Sequence, residues 1–78
     1  MILTHIILDE IKSIDKKNNT KYLEAFKEDI NQYNDLRTVL INWNDYINIW
    51  KEEGREENFY FLKEKINYCL LVLNCGIK

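Results

Sequence analysis

Leu36, Leu40, Trp43, Ile47 and Trp50 recur at alternating spacings of four and three, the seam of a helix that packs lengthwise on a neighbour. Val39 and Tyr46 widen that seam to an arc of about 140° on a wheel of roughly 100° per residue. Both tryptophans of the chain lie on this arc. Large aromatics dominate core energetics, so the stretch 36–50 is the expected centre of the core.

Upstream, Tyr22, Leu23, Phe26, Ile30 and Tyr33 form a second helical stripe, centred roughly 100° further round the same wheel. The offset falls across Asn31-Gln32-Tyr33-Asn34-Asp35, the weakest helix-forming stretch in the interior. No glycine or proline occurs from Thr20 to Glu53, and an unbroken helix over that range would be about 50 Å long. Two arrangements fit. Either one long helix shows two faces to two neighbours, or the chain turns near Asn34 and forms four helices. Antiparallel turns favour glycine, so the pattern favours the continuous or merely kinked helix.

The flanks complete the architecture. Leu3, Ile7, Ile11 and Ile14, with Ile2 and Ile6 alongside, predict a first helix with Thr4 as N-cap and Lys12, Lys16 and Lys17 in its last turns. Asn18 and Asn19 then break the pattern, and Thr20 is expected to cap the next helix. Gly54 ends the long helix. A last helix runs from about Glu56 to Asn74, with Glu56 and Glu57 at its positive end, and Gly76-Ile77 resembles a Schellman ending. Its main stripe, Phe59, Leu62, Ile66, Cys69, Leu70 and Leu73, should meet Val39, Trp43, Tyr46 and Trp50 across a short connection at Gly54 and Arg55. The expected fold is all-α: a single domain over residues 1–78, a small bundle of three helices, or four if the chain breaks near Asn34, with an antiparallel αα-hairpin at Gly54.

Seventy-eight residues supply a core worth only about 3–5 kcal/mol. Two-helix layers bury little, so the chain should close into a compact bundle or complete its core with a second copy as a homodimer. A net charge of −2 names no partner and argues against nucleic acid, whose phosphates call for a clustered positive surface. Cys69 and Cys75, six apart, would point about 120° apart on a helix with a rise of roughly 9 Å, too far for a disulfide. Reduced cysteines suit a cytoplasmic protein. The opening MILTHIIL has no basic region and runs into Asp9 and Glu10, unlike a signal peptide, and the apolar run Cys69–Leu73 is too short to span a bilayer.

Chemistry is sparse. His5 is the only histidine and has no evident orienting partner. Cys69 lies on the core stripe, and Cys75 has only Lys78 nearby to lower its pKa. Glu24 and Glu28 share a helical face but lack the Glu-x-x-His companions of a di-metal bundle site. No catalytic residue, cofactor or metal is expected, and the chain reads as a non-enzyme. Two charged stretches could touch a partner: KEEGREE, Lys51 to Glu57, and the lysines at 12, 16, 17 and 21.

The surplus of apolar residues is more informative. Phe61, Tyr68 and Val72 line up about 140° from the main stripe of the last helix, and Tyr60 and Leu71 fill the remaining flank. Arg37 sits beside the apolar arc with no acid at helical spacing, a setting in which arginine often pairs across an interface. Arg37, Tyr60, Phe61, Tyr68, Leu71 and Val72 are therefore the candidate partner-binding residues. The function this points to is a small helical regulator or inhibitor that docks on another protein, in its most specific form a viral or mobile-element inhibitor of a host protein. The alternative is a small DNA-binding transcriptional regulator with the lysines on phosphate.

Overall fold

The computed structural model describes residues 2–55 and 58–76, the side chains at 2 and 75 excepted. Four helices follow one another: α1 (Ile2–Asn18), α2 (Tyr22–Tyr33), α3 (Leu36–Glu52) and α4 (Tyr60–Gly76). The continuous helix expected from Thr20 to Glu53 is thus replaced by two. The corner between them is Asn34-Asp35. Asn34 takes the left-handed conformation, φ 50°, and its N–H donates to the Ile30 carbonyl, closing α2 as a glycine would. Asp35 is extended and caps α3, accepting from the Arg37 N–H at 3.2 Å and the Thr38 hydroxyl at 2.6 Å. The offset between the two sequence stripes is what lets each half turn its own face inward.

The capping of Asp35 has a pH signature. Its carboxyl is held below the ordinary value, first by the Thr38 hydroxyl and then, against a desolvation that opposes it, by the Arg37 N–H and the Arg37 charge. A folded pKa below the unfolded one contributes stability above the ordinary value that is lost as pH falls through the folded value. The gap in Tm between the wild type and Asp35→Ala should therefore narrow as melts are taken from pH 6 down through the carboxylate range. A gap that widens on acidification would contradict this assignment.

The start of α2 is built differently from the expectation. Lys21 precedes the helix without a side-chain cap bond. The cap comes from the preceding helix: the Asp15 carboxylate accepts from the Tyr22 N–H and the Leu23 N–H, both at 2.9 Å, and from the Thr20 hydroxyl at 2.6 Å. Thr20 therefore orients the cap instead of serving as one. α1 closes on Asn19, left-handed at φ 55°, while the Asn18 amide donates to the Ile14 carbonyl at 2.9 Å. Because α1 already runs from Ile2, Thr4 lies inside the helix and is not its N-cap.

Gly54 ends α3 as expected, at φ 81°. Its N–H donates to the Lys51 carbonyl and the Arg55 N–H donates to the Trp50 carbonyl, the two bonds of a Schellman ending. The guanidinium of Arg55 lies 5.1 Å from the Trp50 ring centroid, so a cation–π contact takes the place of the usual hydrophobic contact of that motif. α4 begins at Tyr60, four residues later than expected, behind an Asn58 side chain that accepts from the Tyr60 N–H at 3.0 Å. Glu56 and Glu57, and the Schellman ending expected at Ile77, lie outside the described residues.

Paired contacts give the helix directions. Leu3 meets Cys69 and Glu10 meets Lys65, so α1 and α4 are antiparallel. Trp43 meets Asp29 while Trp50 meets Tyr22, which makes α2 and α3 antiparallel. Asn48 meets Lys63 while Arg37 meets Leu73, and α3 and α4 run antiparallel too. With α1 packed on α2 as well, the four helices close a ring in up-down-up-down order. Its interior holds Ile7, Ile11 and Ile14 of α1, Phe26 of α2, Val39, Leu40, Trp43 and Ile47 of α3, and Phe59, Leu62, Ile66 and Cys69 at and along α4. Near the Gly54 end, Tyr22, Phe26, Trp43, Tyr46, Trp50 and Phe59 form one aromatic cluster with ring centroids 5.1–6.4 Å apart.

Candidate functional site

With Leu62, Ile66 and Cys69 turned into the core, helical geometry sends Tyr60, Phe61, Glu64, Asn67, Tyr68 and Leu71 outward from α4. Four large apolar side chains on that side stay more than half exposed: Tyr60 60%, Phe61 55%, Tyr68 55% and Leu71 62%. Val72 is half-buried at the edge. The flank and the second side seen in the sequence thus merge into one face. Side chains of this size bury 150–250 Å² when fully covered, so these four present about 400 Å² of largely apolar surface. That is in the range of the largest patch on an ordinary monomer, which is often functional.

Positive charge is kept off this strip. Lys65 reaches back to Glu10 of α1 at 2.7 Å, and Lys63 reaches Asn48 of α3 at 2.6 Å. Glu64 is the acid within the face, and the Tyr60 hydroxyl donates to its Oε1 at 2.9 Å. That bond, then the Glu64 charge and then desolvation push the Tyr60 phenol above its ordinary value. The Tyr60 and Phe61 rings meet edge to face at 5.4 Å. Phe61 also walls a small cleft of about 180 Å³ at the α1–α4 seam, lined otherwise by Glu10, Ser13, Ile14, Lys17, Asn18 and Asn58.

Arg37 stands apart from this face. It lies half-buried on the opposite, α3-facing side of α4, where its Nη2 donates to the Leu73 carbonyl at 3.4 Å. A cation beside the last carbonyls of α4 complements that helix dipole. Its Nε is buried without a hydrogen-bond partner, as is the Asn44 Oδ1 two turns along α3. Ile41 and Ile49 of α3 are exposed as well, at positions the sequence stripes left unassigned. So is Tyr33, which the second stripe places inward but which falls on the last residue of α2, at the corner.

The remaining candidates occupy ordinary places. His5, Glu24 and Glu28 are exposed. Cys69 is buried, its Sγ 3.7 Å from the Leu3 carbonyl, and desolvation pushes its thiol up, so it behaves as a small hydrophobe. The Cys75 side chain and Lys78 lie outside the described residues. Among the described residues no three acidic, histidine or cysteine side chains gather closely enough to hold a metal ion, and no helix is long and apolar enough to cross a membrane.

Folding also brings the four lysines and the described part of the acidic stretch, Lys51 to Arg55, to one pole. The exposed lysines 12, 16, 17 and 21 sit along and after the end of α1, and the antiparallel ring places the end of α3 at the same pole. There Arg55 donates to the Tyr22 hydroxyl at 2.8 Å and lies 3.9 Å from the Glu53 carboxylate. The pole is mixed in sign. A scan against protein-family models and searches of curated proteins and of solved structures return no match, so the functional reading rests on the chain's own surface.

Proposed function

We propose that this chain is a non-enzymatic protein–protein interaction module, a small helical regulator or inhibitor that works by docking the outer face of α4 on a partner protein. The observation that carries this is the strip of Tyr60, Phe61, Tyr68 and Leu71, each more than half exposed on one helix whose other side is core. Exposed aromatics clustered on a rigid helix are the usual anchors of helix-in-groove recognition. Arg37 contributes from the seam, by holding the end of α4 in place.

The experiment is affinity capture from an extract of the source cell, with Phe61→Asp and Leu71→Asp chains run beside the wild type. Both side chains are exposed, so the substitutions leave the core intact. A specific partner should come down with the wild type and fall at least about tenfold with either variant, the scale of a hot-spot loss. Capture that both variants leave unchanged would reject the α4 face. An inhibitor of viral or mobile-element origin is the narrower form of this reading, and the identity of the captured protein decides it. The DNA-binding alternative draws on the four exposed lysines, but Glu52 and Glu53 share their pole and weaken the field that phosphate requires. A duplex gel shift at low salt separates the two.

A further inference from the structure

The exposed face of α4 has an internal symmetry. Its contact positions, 60, 61, 64, 68, 71 and 72, are spaced evenly about position 66, and Ile66 itself points straight into the core. On two antiparallel helices related by a twofold axis, a side chain meets one on the same edge or the midline of the other helix's strip, at the same rise beyond the midpoint to within a residue or two. We infer that this face closes on the same face of a second copy of the chain, with α4 against α4 antiparallel about a twofold axis level with position 66. The inference rests on the reading of α4 as a docking face and names its first occupant.

The pairs that follow are chemically matched. Tyr60 and Leu71 share one edge of the strip and Phe61 and Val72 the other, so Tyr60 opposes Leu71 of the second copy and Phe61 opposes Val72, an aromatic against an aliphatic each time. Glu64 opposes Tyr68 of the second copy, so the carboxylate within the strip meets a hydroxyl donor. Tyr60 occupies one site on that carboxylate, at Oε1, and a carboxylate accepts several donors. Asn67, exposed at one edge, meets its own symmetry mate. At the other edge Lys65 approaches its mate with its charge already satisfied by Glu10 at 2.7 Å. The one like-charge approach, Lys65 to its mate, lies at the edge and has a Glu10 carboxylate beside each ammonium.

The area is sufficient for a reversible dimer. About 400 Å² from the four large side chains, with Val72, Glu64 and Asn67 added, amounts to about 1,000 Å² over both copies, at the lower limit of specific interfaces. The contacts span about 18 Å along α4, from Tyr60 to Val72. Association with half-dissociation at roughly 10–100 µM fits such an area.

The test is sedimentation equilibrium of the full chain alone, from about 5 µM to about 500 µM, a range that brackets that affinity. The wild type should move from 9.5 kDa to twice that mass. Tyr68→Glu sets a carboxylate against Glu64 of the second copy and should weaken association at least tenfold. The double variant Glu64→Lys with Tyr68→Glu turns the same pair into Lys against Glu, and should restore the dimer to within about threefold of the wild type. Leu71→Lys, opposite Tyr60, should weaken it as Tyr68→Glu does. Circular dichroism melts matching the wild type show that the variants fold. A wild type that stays monomeric over the whole range overturns the inference, and that result alone decides it if a variant misfolds. A dimer indifferent to Tyr68→Glu, or a folded double variant that stays monomeric, overturns it too. These outcomes are separable from the functional reading. A monomer that still captures its partner through Phe61 removes only the second copy, while a dimer with no partner removes only the regulator.

Discussion

Trp43→Ala is expected to abolish the cooperative unfolding of this chain. Trp43 is buried at the centre of the ring of helices, in edge-to-face contact with Tyr22, Phe26, Tyr46 and Trp50, and its indole N–H donates to Asp29 of α2 at 2.8 Å. Truncating a buried tryptophan costs about 3–5 kcal/mol, as large as the whole stability a core of this size supplies. Far-UV dichroism should then fall gradually with urea, without a sigmoidal transition. Trp43→Phe keeps most of the packing and loses the N–H, at a cost of about 1–3 kcal/mol, and should still fold. A Trp43→Ala chain that melts cooperatively within a few degrees of the wild type would show that the core is not organised around this side chain.

The second large effect is Asp15→Ala. One carboxylate satisfies two N–H groups at the start of α2 and fixes the Thr20 hydroxyl between the helices, so its removal unlocks the α1–α2 connection as well as the cap. Losing an N-cap costs about 0.5–2 kcal/mol, and the expected loss here is at the top of that range, about 2 kcal/mol. For a domain of this length that lowers Tm by roughly 8–16 °C. Thr20→Ala removes one hydrogen bond and should cost about 1 kcal/mol, or half as much in Tm. The order is the diagnostic: a larger drop for Thr20→Ala than for Asp15→Ala would restore Thr20 as the cap.

These two residues show where the sequence is transparent and where it is not. The stripe that places Trp43 in the core is a matter of period, and period survives folding: Val39, Leu40, Trp43 and Ile47 are all buried. The Asp15 cap depends on a residue seven positions upstream across a turn, and nothing in the local pattern at Thr20-Lys21-Tyr22 announces it. The break at Asn34 lies between these cases. Weak helix formers mark the place, but the expectation of glycine hid the turn, because asparagine reaches the left-handed conformation without it. Asp35 followed by Thr38 was a local capping signal that could have tipped the choice toward four helices.

The α4 face was visible as a surplus. A helix apolar on a second side must put that side somewhere, and Tyr60, Phe61, Tyr68, Leu71 and Val72 could be named from spacing alone. What spacing could not supply was the ring order. α4 lies between α1 and α3, both of which cover its inner half, so its outer half stays in solvent. Arg37 stands out in the sequence because no acid lies three or four positions from it along the helix. Its acceptor is a main-chain carbonyl of Leu73, thirty-six positions away, a kind of partner that side-chain patterns do not encode.

The aromatic cluster gives the chain an optical address. Both tryptophans belong to it, their ring centroids 5.7 Å apart and nearly perpendicular. Ultraviolet fluorescence and near-ultraviolet dichroism therefore report from the interior between α2, α3 and the segment entering α4. The outer face of α4 carries no tryptophan, so what settles there leaves tryptophan emission unchanged while loss of the core does not.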